Sequence, residues 1–444
     1  MRLTPTSKSP RRSAGLVSRR RTSLRAYLRR RWRAIGLVVV IALGALLVLA
    51  LADRGHDPVW SASGSGSIGG LAVADHGEMV YSLVRDGNNV TRLEARTGSD
   101  GELLWASPVE SPRARLATDG AGVVVATDLP RPFLTAFAPD GAVRYQRPLD
   151  GGLQALAADQ GRVAVALQAA GEPVVIYENG TLVARYTFPA LVEALALRSG
   201  HLAVATADDV VHLWRADDRL MLEERAPLGI RAMALSADGS SVVVGGIAPG
   251  SAGLLGAVAY YDATSLPARR WNATLSAAVS IIDVDRPATR VLAVTESRPT
   301  SEMVILRGVD GMREARYEIA GAVPHEQAGA ERAAAISPDG QWLAARGIRA
   351  PVMVWRIGET DATWSFDDAG GTRIVFPKDR PSRFVTDGRF LATNEHDTLF
   401  YFALAGQPPV RHLGVLALSV ALAVSVGGFG YVALGYWRLR RSVR

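Results

Sequence analysis

The chain has 444 residues, 48% of them hydrophobic, so it is long enough for two or three ordinary domains or for one large closed β structure. It contains no cysteine, which excludes disulfides, thiolate metal sites and a cysteine nucleophile. The net charge of +7 is uneven, because residues 1–33 hold 12 Lys and Arg, residues 411–444 hold five Arg, and neither segment has an acid. Between them stand 33 basic and 43 acidic residues, a net charge of −10, so we expect no nucleic-acid partner.

The first 52 residues form two segments of opposite character. Residues 1–33 are rich in Arg and Ser and lack a long apolar face, which predicts a basic arm. Residues 34–52 carry no charge, and as a helix they would extend roughly 28 Å, close to the thickness of a hydrocarbon core of about 30 Å. The alternative is a cleaved signal peptide, because Ala50-Leu51-Ala52 resembles a cleavage site. We favour an uncleaved transmembrane anchor.

A second transmembrane helix is predicted at residues 411–437, of which 413–437 are uncharged. Four Arg lie in the tail at residues 438–444. The positive-inside rule therefore puts both termini in the cytoplasm and residues 53–410 outside it. We expect the chain to lie in the lipid bilayer of a bacterial inner membrane, with residues 53–410 periplasmic. Small residues at Ser419, Ala423 and Gly427 would let the two helices pair closely.

The segment from Leu191 to Pro227 shows how the middle of the chain is built. It contains four short apolar runs, at residues 193–197, 201–206, 210–214 and 220–224, each ended by polar or turn residues. This pattern predicts four antiparallel strands, and about 38 residues is the size of one propeller blade.

Eight such units can be phased between the two hydrophobic segments. They begin near Ile68, Arg115, Leu153, Leu191, Ile230, Val279, Arg332 and Thr372. Turn residues such as Asp-Gly follow most first strands and supply positive φ angles. The eighth unit is one strand short, and Pro58-Val59-Trp60-Ser61 would supply that strand and close the ring. The predicted fold is an all-β, eight-bladed β-propeller, with seven blades as the alternative, flanked by two transmembrane α-helices.

Two repeat families share motifs with these units. The sequence from Leu93 to Gly98, followed by Leu103-Leu104-Trp105, resembles PQQ-like repeats. The sequence from Ile336 to Ala344, followed by Val352 to Trp355, resembles a WD40-type blade. The resemblance implies a propeller and is unspecific for function, since PQQ-like repeats occur in quinone-dependent dehydrogenases and in non-enzymatic envelope scaffolds. The alcohol-type dehydrogenases hold their quinone against a pair of adjacent cysteines, which this chain lacks.

No motif identifies a catalytic, metal or cofactor site. Nucleophile-elbow, Walker and dinucleotide motifs are missing from the expected strand–helix contexts, and no HxH or HExxH pair occurs. His201 and His212 lie on adjacent predicted strands, where a structural hydrogen-bonding role is the more common one for such residues. Paired acids at Asp208-Asp209 and Asp217-Asp218 lack the spacing of a calcium loop.

The sequence therefore favours a protein-binding scaffold or sensor in the cell envelope, with neither enzymatic activity nor a cofactor. Two segments look like longer loops, one from Ile247 to Leu255 and one from Ser297 to Glu302, and they are the predicted binding region for a protein partner. The alternatives are an accessory subunit of a transporter, as in phosphate permeases with a propeller-like region, or a quinone- or metal-dependent enzyme.

Overall fold

A computed structural model describes the part of the chain that contains the predicted repeats. The described residues are 60–63, 66–74, 78–111, 114–128, 132–171, 173–215, 217–250, 253–264, 267–297, 300–320, 334–346, 352–366, 390–395 and 398–403. In these residues no helix is long and apolar enough to cross a membrane. The arm, the tail and both predicted spans lie outside the described residues, as does the predicted start of the eighth unit near Thr372.

The described residues form seven four-stranded antiparallel sheets, each built from four consecutive strands. Sheet 1 is β2 (Gly66–Val73), β3 (Met79–Asp86), β4 (Thr91–Thr97) and β5 (Leu103–Val109). Sheet 2 is β6 (Ala114–Thr118), β7 (Val123–Thr127), β8 (Phe133–Phe137) and β9 (Val143–Pro148). Sheet 3 is β10 (Gly152–Asp159), β11 (Arg162–Gln168), β12 (Val174–Glu178) and β13 (Thr181–Tyr186). Sheet 4 is β14 (Val192–Arg198), β15 (His201–Thr206), β16 (Val210–Trp214) and β17 (Leu220–Arg225).

Three further sheets follow in the same order, and an eighth contains both ends of the described chain. Sheet 5 is β18 (Gly229–Leu235), β19 (Ser241–Gly250), β20 (Gly253–Asp262) and β21 (Arg269–Leu275). Sheet 6 is β22 (Val279–Val284), β23 (Arg290–Thr295), β24 (Thr300–Arg307) and β25 (Arg313–Ala320). Sheet 7 is β26 (Ala334–Ile336), β27 (Trp342–Arg346), β28 (Val352–Arg356) and β29 (Trp364–Phe366). The end sheet has three strands in the order β1 (Trp60–Ser63), β31 (Thr398–Ala403) and β30 (Phe390–Glu395).

The sheets are arranged side by side, as the blades of a β-propeller are. The first strands of sheets 1 to 7 are neighbours in chain order, and β30 of the end sheet lies beside β2 of sheet 1. The hydrophobic core lies between successive sheets, since alternate residues of each strand face one neighbour or the other. Tyr81 and Leu93 of sheet 1, for example, pack with Val123 and Phe137 of sheet 2, and all four are buried.

The predicted strand pattern and turns agree with the structure. In sheet 4 the strands begin and end within one residue of the four predicted runs. Turns after the first strands use left-handed residues, including Gly120, Gly161, Gly200, Gly239 and Gly340. Positive φ at these positions is cheap only for glycine, which explains why the turn motif repeats in the sequence.

The end sheet confirms the predicted pairing between the two ends of the described chain. Strand β1 is antiparallel to β31, with Trp60 opposite Tyr401 and Ser63 opposite Thr398. Pro58 and Val59 of the predicted segment lie outside the described residues. Strand β1 comes from the beginning of the described chain and β31 from its end. The backbone groups of β31 that face β1 are therefore paired only when these two ends come together.

The two faces of the propeller carry different connections. Consecutive antiparallel strands reverse direction, so the turns between strands one and two and between strands three and four of every sheet share one face. We call this the lower face. The hairpins between strands two and three, together with the connections from sheet to sheet, lie on the opposite face, which we call the upper face. The described chain begins at Trp60 and ends at Ala403, both at the lower end of the end sheet.

Candidate functional site

The predicted binding region maps to two neighbouring hairpins on the upper face. The segment from Ile247 to Leu255 belongs to the β19–β20 hairpin of sheet 5, and the segment from Ser297 to Glu302 belongs to the β23–β24 hairpin of sheet 6. Both hairpins join second and third strands, so they extend in the same direction.

The interpretation of Ile247 to Leu255 as a loop is wrong. Strand β19 continues to Gly250 and β20 begins at Gly253, and Ile247 pairs with Gly256 while Ala248 pairs with Leu255. The glycine just before this segment has a packing role. A Cβ on Gly246 would clash with the carbonyl oxygen of Gly229, so glycine is required because two backbones approach closely.

The end of this hairpin is apolar and exposed. Pro249 and Leu254 are paired across the two strands, and Leu254 is 69% exposed. Ile247 and Leu255, nearer the sheet, are half-buried. We call these four residues the apolar tip. An exposed apolar tip held in a two-stranded ribbon is the kind of rigid feature that a protein partner can cover with little loss of conformational entropy.

The segment from Ser297 to Glu302 is also only partly a loop. Ser297 lies in the turn, where its hydroxyl donates to the carbonyl of Thr300, but Glu302 lies within β24 and is 9% exposed. The Glu302 carboxylate is held by two donors: Arg316 Nε at 2.7 Å and Ser276 Oγ at 2.6 Å. Glu302 therefore has a structural ion pair, and its predicted contact with a partner stays a prediction.

An ion pair links sheet 5 to the turn of the β23–β24 hairpin. Arg231 of β18 places Nη1 3.2 Å from Glu296 Oε2, in the turn after β23, and thereby links sheet 5 to sheet 6. The Glu296 amide also donates to the Ala278 carbonyl at 2.7 Å. The apolar tip is thus carried by a pair of sheets whose upper ends are tied together.

The lower face has an unbroken series of contacts between turns. Ser199 Oγ donates to the Ala237 carbonyl at 2.6 Å, the Ala237 amide donates to Arg286 O at 3.3 Å, and the Arg286 amide donates to Pro338 O at 2.8 Å. These bonds join sheets 4, 5, 6 and 7. The lower turns are therefore fixed by their neighbours, whereas the apolar tip extends freely from the upper face.

Aromatic residues of fourth strands repeat one contact that sequence reasoning missed. Trp105 Nε1 donates to Pro139 O at 2.7 Å, and Trp271 Nε1 donates to Gly308 O at 2.7 Å, each in the next sheet's turn between strands three and four. Trp60 does the same with Gly98 O at 3.0 Å. Since Trp60 makes the contact of a fourth-strand tryptophan, β1 occupies the fourth-strand place of the end sheet. The recurrence of Trp in these runs was the available signal.

The two histidines singled out in the sequence are not brought together. His201 packs on Gly239 of the next sheet, and its Nδ1 is 3.1 Å from Ser199 O. His212 lies opposite Val204, three residues further along β15 than His201, and its ring contacts Trp214 and Phe188. Burial lowers the pKa of His212, against the opposing effect of Glu223 and Asp208. Across the described ranges, no group of three or more His, Asp or Glu residues is placed to hold a metal ion.

Comparisons with known proteins identify the fold and leave the family open. No protein-family model and no curated protein matches the sequence. The computationally designed protein Ika8 is similar with a TM-score of 0.58 and 15% identity, over 78% of this chain and 100% of Ika8. Sqt1 of Saccharomyces cerevisiae is similar with a TM-score of 0.57 and 10% identity, over 79% of this chain and 100% of Sqt1.

A third structure, a mitotic checkpoint complex, contains a chain that is similar with a TM-score of 0.50 and 13% identity, over 69% of this chain and 93% of that one. At these identities the likeness concerns the fold alone. Together with the succession of four-stranded sheets, it defines the fold as a β-propeller.

Proposed function

We propose that the chain is a protein-binding scaffold of the bacterial cell envelope: a β-propeller held at the inner membrane by two helices, at residues 34–52 and 411–437, with its upper face turned away from the bilayer. The proposed ring has eight blades, the eighth completed by β1. One observation carries the proposal. Trp60 and Tyr401 are paired at the lower end of one sheet, so both segments leading to the predicted helices leave the same edge.

The length of the connecting segments supports this orientation. Seven residues, 53–59, separate the first predicted helix from β1, and seven more, 404–410, separate β31 from the second helical segment. Seven extended residues reach about 25 Å at most. The lower face would therefore stay near the membrane, and the apolar tip on the upper face would point away from it.

The part of the upper face formed by sheets 5 and 6 is the proposed partner surface because it combines exposed apolar area with rigid support. The apolar tip offers Leu254, and the Arg231–Glu296 pair links sheet 5, which carries the tip, to sheet 6. Apolar residues surrounded by polar groups are typical of the energetic centre of a protein interface. A structural neighbour is itself part of a multiprotein assembly, the mitotic checkpoint complex, and this agrees with a binding role for the fold.

A matched pair of substitutions tests the proposed surface. We expect Leu254→Asp to reduce recovery of a stoichiometric envelope protein, cross-linked in intact cells, by tenfold or more, since a buried charge at an interface centre costs at least about 1.4 kcal/mol. Val90→Asp, on the upper face of sheet 1, is the control and should leave recovery unchanged. Equal recovery from both variants, or no stoichiometric partner at all, would contradict the proposal.

A further inference from the structure

Exposed apolar side chains are concentrated at one level of the propeller. Among the described residues, eleven large hydrophobic side chains are exposed, and eight of them lie in the turns between third and fourth strands or at the start of the fourth strands. The eight are Leu103, Leu104, Val143, Leu182, Val183, Leu220, Val309 and Met312. We call this set the lower rim.

The lower rim follows from the sequence pattern of the repeats. Fourth strands are the outermost strands of the sheets, so about every second side chain of these strands is exposed to solvent. A regular alternation of apolar and polar residues would put polar residues at the exposed positions. At the beginning of β5 and β13, however, apolar residues come in pairs, Leu103-Leu104 and Leu182-Val183, and a β-bulge in each pair interrupts the alternation. Both members of each pair are consequently exposed, from 43% to 53%.

The position of the rim relative to the chain ends indicates what covers it. Sheet 1 adjoins the end sheet through β2 and β30, and the rim residues of sheets 1 to 4 form a continuous arc that starts there. Trp60 and Ala403 lie at the same lower end, and the seven-residue segments beyond them lead to the predicted helices. A surface within about 25 Å of a bilayer on two tethers meets that bilayer more often than any soluble partner.

The charges at the rim fit the headgroup region of a bilayer. Three arginines at this level are paired with nearby carboxylates of their own sheets: Arg215 with Asp217, Arg307 with Asp310 and Arg270 with Asp262. These pairs add no net basic charge that would attract anionic lipid. Apolar side chains beside internally paired charges suit the zone where acyl chains meet headgroups, and binding by such a surface depends little on salt.

We propose that the lower rim rests on the lipid bilayer to which the chain is tethered, with Leu103, Leu104, Val143, Leu182, Val183 and Leu220 entering the interfacial zone. This inference rests on the proposed membrane tether. It adds an orientation: the lower face is turned toward the membrane on the side of sheets 1 to 4, and the apolar tip points away from the lipid.

The absence of cysteine allows a direct test on the full chain in phosphatidylcholine nanodiscs. Leu182→Cys and Val90→Cys are matched, since each native side chain is 53% exposed, one at the lower rim and one on the upper face. Each cysteine is labelled with a fluorophore and quenched either by spin-labelled lipid or by aqueous iodide. We expect lipid quenching at residue 182 to exceed that at residue 90 by roughly twofold or more, with the reverse order for iodide. Val143→Cys should behave as Leu182→Cys does.

The other outcomes overturn the inference in distinguishable ways. If the chain enters the discs and both positions respond equally, the rim does not touch lipid, while the tether stands. If residue 182 is shielded from iodide without lipid quenching, and the discs hold two copies, the rim is covered by a second copy. If the chain does not co-purify with lipid at all, the proposed tether fails and the lipid contact fails with it.

Discussion

At the scale of single residues, glycines and aromatic rings hold the sheets together. Gly311 has φ of +70°, and a Cβ there would lie 2.5 Å from Cε3 of Trp271 in the preceding sheet. In the same way, a Cβ on Gly101 would lie 2.5 Å from Cε3 of Trp60. The glycine thus provides both a left-handed turn and a flat surface for the ring, which explains why Gly and Trp recur at corresponding places in successive sheets.

The contact between Gly311 and Trp271 predicts that an added methyl group destabilises the fold at residue 311 but not at a glycine with open space around it. We expect Gly311→Ala to lower the free energy of unfolding by about 1–3 kcal/mol, because the added Cβ is strained at positive φ and displaces the Trp271 ring. Gly87→Ala is the matched control, since its Cβ would meet nothing within 4 Å. Denaturant unfolding of the two variants checks this, and an equal loss in both would contradict the packing described.

His212 predicts how stability changes with pH. Burial beside Trp214 and Phe188 lowers its pKa in the folded chain, so on acidification the unfolded imidazole binds a proton first. Stability should therefore fall as the pH drops from about 6.5 toward the lower folded value. His212→Phe, which keeps an aromatic ring, should flatten this part of the profile of midpoint against pH. A variant whose profile runs parallel to that of the native chain would show that His212 is not responsible.

At the scale of strands and hairpins, the sequence was informative where the local pattern was simple. Alternation and Asp-Gly turns were enough to predict sheet 4 to within one residue, because each strand there is short and each turn uses ordinary turn residues. The segment from Ile247 to Leu255 was predicted to be a loop, but β19 continues to Gly250 and β20 begins at Gly253. Glycines flank the segment at 246 and 256 because neighbouring carbonyls approach closely there.

Bulges are a second feature that the sequence did not reveal. In five of the described sheets, the pairing of strands one and two slips by one residue near the start of the first strand, at Gly69, Gln154, Glu193, Arg231 and Ser280. These residues share no chemical character, so no motif marks them. A bulge bends a strand and increases its local twist, and the need for that depends on tertiary packing rather than on a local motif.

The closing strand leads to a prediction about Trp60. The ring is 7% exposed and sits on Gly101, so Trp60→Ala should cost about 3–5 kcal/mol, as expected for a buried Trp. Trp271→Ala, at an equivalent place in an ordinary sheet, should cost a similar amount. If Trp271→Ala is destabilising and Trp60→Ala is neutral, β1 does not contribute a fourth strand to the end sheet.

At the scale of the whole molecule, three features support the proposed function. They are the propeller, the two hydrophobic segments next to its paired ends, and the different apolar surfaces of its two faces, with the apolar tip on one and the lower rim on the other. The −10 charge of residues outside the basic termini favours partners with basic or neutral surfaces, and salt should weaken their association. The predicted membrane location depends on the two terminal segments alone, and the predicted orientation follows from applying the positive-inside rule to Arg438 and its neighbours.

The most direct test of this account is the labelling of single cysteines in intact spheroplasts with a membrane-impermeant maleimide. We predict that Val90→Cys, on the propeller, is labelled before lysis, whereas Ser7→Cys in the basic arm and Ser442→Cys in the tail are labelled only after lysis. Labelling of the arm and tail before lysis, with the propeller protected, would contradict both the proposed topology and the proposed function.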